Sequence, residues 1–368
     1  MKTHLLLYKY LMIPVCLALG FPLGAQTYQN SRTERKAYKV SSNVEVQVIN
    51  KYGDIRLIPW EKDSVVFEID FSVTSNKQAK ADKIFNYITF DFKSTAYYVI
   101  AQTVFEGQNT FWSEMADVAS TIFSSGTSTQ IDYTVYFPAG NDVRLENKFG
   151  NIYTTDHTGK VDITLSNGDL KAHSFTGPTR LNIEFGNVSI DEVTDANISL
   201  GYVEFNLKKA GEITFETHSS KLYLTSCDKL HLDSKRDRYS IKSVAEISGE
   251  ASFTYMNLDK ATSKINLKTS YGDFKLLGIS DTFTRMDFTS QYSDLTLYLN
   301  DEHLYELEIT RDNHSEINSS TTLLSQKEDP VEGADDNFRA IITSGNEAKS
   351  KVPIFIHIKS GKIYLMGS

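Results

Sequence analysis

At 368 residues, 40% hydrophobic and 23% charged, the chain has a foldable balance that excludes wholesale disorder, collagen and a multi-span membrane protein. Its net charge of -9 opposes binding to nucleic acid and to anionic membranes. The length exceeds one average domain and no low-complexity linker divides it, so one elongated domain and two compact ones both stay open.

The first element is a leader. Lys2 and Lys9 precede an apolar stretch from Tyr10 to Leu23 that ends in Gly24 and Ala25, the order of a secretory signal peptide. Pro14, Pro22 and the shortness of the stretch argue against a spanning helix, so residues 1–25 are expected to be removed, leaving no transmembrane span. Cys16 lies mid-stretch behind Pro14 and Val15, poor neighbours for lipoprotein processing. Cleavage leaves 36 basic residues against 47 acidic ones, about -11. Of the two cysteines only Cys227 then survives, so no intrachain disulfide can form, and in LYLTSCDKL it reads as a small buried side chain.

After VEVQVINKYGDIRL come strands around 65–73, 87–92, 97–104 and 130–137. Between them NKQAKADKIFNYI predicts a helix over 77–86, with an Asn cap and Ala81, Ile84, Phe85 and Ile88 on one side. A second helix is expected over 111–123. Residues 26–140 thus form an N-terminal strand and helix region of the kind that caps an open repeat array.

Residues 141–368 carry the repeats. KYGDIRL at Lys51 recurs as KFGNIYT, SNGDLKA, EFGNVSI and SYGDFKL, with looser copies SLGYVEF, HSSKLYL, DRYSIKS, TYMNLDK, SQYSDLT and KSGKIYL. The first apolar residue after each turn gives Ile55, Ile152, Leu170, Val188, Val203, Leu222, Ile241, Leu258, Phe274, Leu295 and Ile363, spaced 15 to 21 residues apart from Ile152 to Leu295. The flanks alternate with period two, so each unit is strand, tight turn, strand, with the glycines expected to supply positive φ. The spacing predicts an all-β fold, a parallel β-solenoid of about 18 residues per coil with an N-terminal capping insertion; an antiparallel β-sandwich fits the same alternation and is the alternative. Residues 300–351 are polar and turn-rich, an expected surface loop, and the last copy is expected to close the far end.

The leader, VEVQVINKYGDIRLIPWEKDSVVFEI, the helix and the glycine turns at Gly53, Gly150, Gly168, Gly186 and Gly272 together resemble the exported bacterial β-strand-repeat families of unknown function and the related head-domain GIN auto-transporter adhesins. That resemblance implies a right-handed parallel β-solenoid outside the cytoplasm, in the periplasm, at the outer-membrane surface or secreted. It supplies no catalytic residues. Several copies lack the Gly-Asp pair, notably those at Lys221, Ser240 and Lys362.

The position after Gly holds Asp54, Asn151, Asp169, Asn187, Asn257, Asp273 and Asp294, whose side chains close turns. Asp273 and Asp294 fall in successive units, so in register they form a like-charge pair and are the metal candidates, although the calcium-binding nonapeptide is absent. Two residues earlier stand aromatics, Tyr52, Phe149, Phe185, Tyr271 and Tyr292, with Tyr255 between; they form a supporting stack, and Tyr255, Tyr271 and Tyr292 are the candidate platform for sugar rings. No histidine pair, GxSxG or cofactor motif is present, and Lys235, Arg236 and Arg238 around Asp237 read as a solvated loop. The expected function is a non-enzymatic exported adhesin-like or scaffold protein with a protein or glycan partner at the cell envelope; a polysaccharide lyase or hydrolase and a purely structural envelope protein are the alternatives.

Overall fold

A computed structural model describes residues 27–105, 126–331 and 336–367. The leader over 1–25, Cys16 and the helix expected over 111–123 lie outside the described residues. Those described are nearly all strand, in a long open sheet, with one α-helix among them, Gln78–Tyr87. The described residues divide into two compact units, the smaller formed by 27–32, 70–89, 104–105 and 126–130, the larger by 33–69, 90–103, 131–331 and 336–367.

In the smaller unit the helix buries Ala81 and Ile84, two of the residues that the apolar spacing selects, while Phe85 stacks on Phe71 at 4.9 Å with the Arg32 guanidinium 5.1 Å from its centroid. The expected Asn cap is not used. Lys77 takes the N-cap place with no side-chain bond, and its N–H donates to Ser75 Oγ instead.

The larger unit is a stack of strand tiers hydrogen-bonded in parallel, with antiparallel pairing where Asn337–Gly345 lies between Leu304–Asp312 and Leu323–Pro330. Val46, Val143, Val161 and Thr179 share one inward column, and Val48, Leu145, Ile163 and Leu181 the next. All eight are buried, because alternation sends every second side chain inward. Beyond the continuous run Leu170–His218 the same parallel pairing joins Lys221–Lys235, Arg238–Ser252 and Tyr255–Ser270. An antiparallel sandwich has no such register. Within each column an aliphatic side chain buries against the tiers above and below, so removing one costs about 2–5 kcal/mol for Leu→Ala.

The long interruption between Ile55 and Ile152 leaves the stack intact. Ile55 pairs directly with Ile152, and on its other side with Tyr133, while Glu45–Ile49 pair with Tyr98–Gln102. At the far end the sequence expectation fails. Residues 300–351 are not a loop but contain the strands Leu304–Asp312, Glu316–Ser319, Leu323–Pro330 and Asn337–Gly345. Leu304–Asp312 lies parallel to Lys351–Lys359, and Ile317 pairs with Ile363, so the last sequence copy is not terminal: it sits between the tier of Arg285–Leu299 and that of Leu304–Ser319. Tyr305, Leu307 and Ile309 are buried as one alternating face, whereas Leu323–Pro330, which pairs antiparallel with Asn337–Gly345, is exposed along nearly its whole length and so has no apolar signature.

Candidate functional site

The turns form one corner of the larger unit. Eleven described non-glycine residues have positive φ: Tyr52, Phe149, Asn167, Phe185, Tyr202, Ser219, Arg236, Phe253, Tyr271, Tyr292 and Ser360. From Phe149 to Tyr292 their numbers differ by 18, 18, 17, 17, 17, 17, 18 and 21. Glycine was expected to supply this φ; the residue before it does. Left-handed backbone costs an L-residue about 1–2 kcal/mol, and bulky rings are uncommon there.

Glycine is required for a different reason. A Cβ on Gly150, Gly168 or Gly186 would overlap the carbonyl oxygen of Gly53, Gly150 or Gly168 in the preceding tier. The turn backbones pack too closely for any side chain. Three tiers without this glycine place a hydroxyl residue there that reaches back, while the Tyr202 tier has Val203: Ser220 Oγ accepts the Val203 N–H at 3.1 Å, Thr254 Oγ1 the Asp237 N–H at 3.3 Å and Ser293 Oγ the Gly272 N–H at 3.0 Å.

The inward residue three beyond each positive-φ position fixes the true column as Ile55, Ile152, Leu170, Val188, Phe205, Leu222, Tyr239, Met256, Phe274, Leu295 and Ile363. Phe205 pairs with Leu222, Leu222 with Tyr239, Tyr239 with Met256 and Met256 with Phe274. Val203, Ile241 and Leu258, chosen from the sequence, are therefore two residues out of phase.

The positive-φ column is an aromatic ladder. Tyr52 stacks on Phe149 at 5.6 Å, Phe185 on Tyr202 at 5.0 Å, Phe253 on Tyr271 at 5.0 Å and Tyr271 on Tyr292 at 5.0 Å. Tyr52 is buried, but Phe149, Phe185, Tyr202, Phe253, Tyr271 and Tyr292 are 39–56% exposed. Tyr271 and Tyr292 are thus brought together as expected. Tyr255 is not part of the ladder: Phe253 holds that rung, and Tyr255 stands in register with Arg238 and Asp273, the Arg238 guanidinium 5.9 Å from its ring.

The Asx side chains bridge tiers. Asp54 Oδ1 accepts the Asn151 N–H, Asn151 Oδ1 the Asp169 N–H and Asp169 Oδ1 the Asn187 N–H, each at 2.9 Å. Asn257 lies outside this column, in register with Lys275. Asp273 and Asp294 are in direct register. Burial, then the Asp294 charge, raises the Asp273 carboxyl above the usual carboxylate range against an opposing bond from the Asp294 N–H. Asp294 Oδ1 accepts the Lys362 N–H at 2.9 Å, so both carboxylates serve as caps. Among the described residues no group of three or more His, Cys, Asp or Glu is placed to hold a metal.

Two groups escaped the sequence reading. Asp237 is 1% exposed and accepts from the Ser220 and Lys235 N–H groups and from the Thr217 and Ser234 hydroxyls, a buried hub rather than a solvated loop. His157 is buried against Phe137, ring centroids 5.4 Å apart. Cys227 is buried, and desolvation pushes its thiol up to about 12, which leaves it inert as a nucleophile. Among the described residues no helix is long and apolar enough to cross a membrane.

No family model and no curated protein matches the chain. Three similar solved structures are a "putative cell adhesion protein" from Clostridium sporogenes (7% identity, 92% of this chain, 100% of that chain, TM-score 0.19), a "putative adhesin" from Parabacteroides distasonis (11%, 72%, 97%, 0.33) and another from Parabacteroides merdae (9%, 72%, 96%, 0.30). At these identities and TM-scores neither fold nor function transfers from them to this chain.

Proposed function

We propose that this chain is an exported, non-enzymatic, adhesin-like or scaffold β-solenoid that binds a protein or a glycan at the cell envelope through its aromatic ladder. In this reading residues 1–25 are the cleaved leader, residues 26–140 the capping region, and residues 141–368 the right-handed repeat region of about 18 residues per coil. One observation carries it: large rings stand exposed at backbone angles that disfavour them. Packing alone is served as well by Asn167 or Ser219 at the same place, so six half-exposed rings there mark a surface kept for contact. The occupation of the turn carboxylates as backbone caps supports a binding role over a hydrolytic one, since a general acid needs its oxygen facing substrate.

The test has two arms. Mass spectrometry of protein recovered from outside the cytoplasm is expected to give an N-terminus at Gln26. Envelope extract is expected to retain the folded wild-type chain about tenfold better than the Phe253→Asn, Tyr271→Asn, Tyr292→Asn triple variant; equal retention removes the ladder from the binding face.

A further inference from the structure

Beside the ladder rungs Phe253, Tyr271 and Tyr292 lies a groove of about 290 Å³ that crosses successive tiers. Its lining repeats from tier to tier. Ser252, Ser270 and Gln291 are in register directly before the rings, and Asp233, Glu250, Lys268 and Thr289 are in register two residues further back. The outer row is exposed, and Lys268 is paired with Glu250 at 3.0 Å.

We infer that this groove, bordered by the three rings that follow its inner row, binds an extended, uncharged, β-linked pyranose chain laid along the stacking direction; the inference rests on the reading of the ladder as a binding face. Three features select that ligand. The first is commensurability: neighbouring strands are about 4.8 Å apart and the rings 5.0 Å, and an extended β-1,4-linked pyranose chain advances by close to the same distance per sugar. Each sugar therefore has a hydroxyl or amide at its own tier, and because successive sugars of such a chain are turned over, identical contacts recur at every second tier, whereas the side chains of a protein partner do not keep this spacing. The second is chemistry. The rings cover one another's faces along the ladder, so toward the groove they can offer only edges and the Tyr hydroxyls, which with the short neutral donors and acceptors of the lining match the hydroxyl rim of a sugar chain. The third is charge: the one cation among the lining residues is paired with Glu250 and Asp233 adds a negative charge, while Asp273 and Asp294 beyond the rings are offset by Lys235, Arg236 and Lys359 at the borders, so the lining offers no unpaired cation to select an anionic polymer.

Calorimetric titration of the mature chain with β-1,4-linked hexaoses of glucose, N-acetylglucosamine and mannose, and with α-1,4-linked maltohexaose, tests this. At least one β-linked hexaose is expected to bind about tenfold tighter than maltohexaose, with affinity rising to about four sugars, one per tier, and then levelling. Tyr271→Asn and, separately, Gln291→Ala are expected to weaken it about tenfold and about threefold, with circular dichroism unchanged. Binding of none of the three, equal binding of the α-linked chain, or no dependence on chain length overturns the inference. If the β-linked chains fail while envelope extract still distinguishes wild type from the triple variant, only the glycan assignment falls; if that distinction is lost too, the ladder reading falls with it.

Discussion

Each turn is held by contacts whose loss has a definite size. Gly168 and Gly140 both precede short polar residues in turns, yet a Cβ on Gly168 would overlap the Gly150 carbonyl, while one on Gly140 would find its nearest neighbour, Thr158 Oγ1, at 3.9 Å. Gly168→Ala is expected to destabilise by about 2–3 kcal/mol, because backbone on both sides must move, and Gly140→Ala to stay within about 0.5 kcal/mol. Urea midpoints at constant slope check both. His157 makes a pH-dependent contribution. Burial holds its ring below the usual value of 6.5, and the backbone at Lys160 and Asn141 and the Asp142 charge pull the other way without overcoming it. A lowered folded value means the unfolded chain binds the proton first, so stability is full above about 6.5 and falls as pH drops through 6.5 toward the folded value. His157→Leu is expected to flatten the stability profile over that window; a variant profile parallel to wild type would locate the acid sensitivity elsewhere.

Elements of this fold were legible where turn chemistry repeats and obscure where it is substituted. The Gly-Asp and Gly-Asn tiers stack as their spacing implies, and Asp273 meets Asp294 as expected. In the glycine-free tiers two inward apolar residues stand two apart at each turn, Val203 with Phe205, Tyr239 with Ile241 and Met256 with Leu258, all buried. A slip of two residues preserves the inward and outward alternation, so the pattern alone cannot say which comes first. That slip hid Phe253 behind Tyr255 and Asp237 within a basic cluster. Only the third dimension shows that the Asp237 carboxylate closes a turn from inside, and the same hub gives a test. Asp237→Ala leaves two backbone N–H groups and two hydroxyls buried without their acceptor, an expected loss of about 3 kcal/mol or more. Unfolding of that variant at the wild-type urea midpoint would mean the four groups find other acceptors. The strands between 300 and 351 were missed because Leu323–Pro330 lies exposed and Leu304–Asp312 carries no turn glycine.

At the scale of the whole repeat unit, energy is local to neighbouring tiers, since each strand bonds and packs only against the tier on either side. A tier is then a removable module. Deleting the 17 residues Ser219–Lys235 joins His218 to Arg236, which already has the left-handed φ that Ser219 held. Tyr239 then takes the place of Leu222 opposite Phe205, and Ile247 that of Leu230 opposite Ile213, both apolar and inward. Asp237 keeps an N–H to accept, because Val203 stands where Ser220 stood, and Thr217 moves into the position of Ser234. The shortened chain is expected to fold cooperatively, with the same far-ultraviolet spectrum per residue and a slightly lower urea slope in proportion to the surface removed. Deleting only the nine residues Ser219–Cys227 shifts every downstream residue by half a tier, pairs turns with strand centres, and is expected to abolish the cooperative transition. If both deletions behave alike, whether folded or unfolded, stability does not reside in nearest-neighbour tiers, and the stacked columns lose their claim to organise the unit.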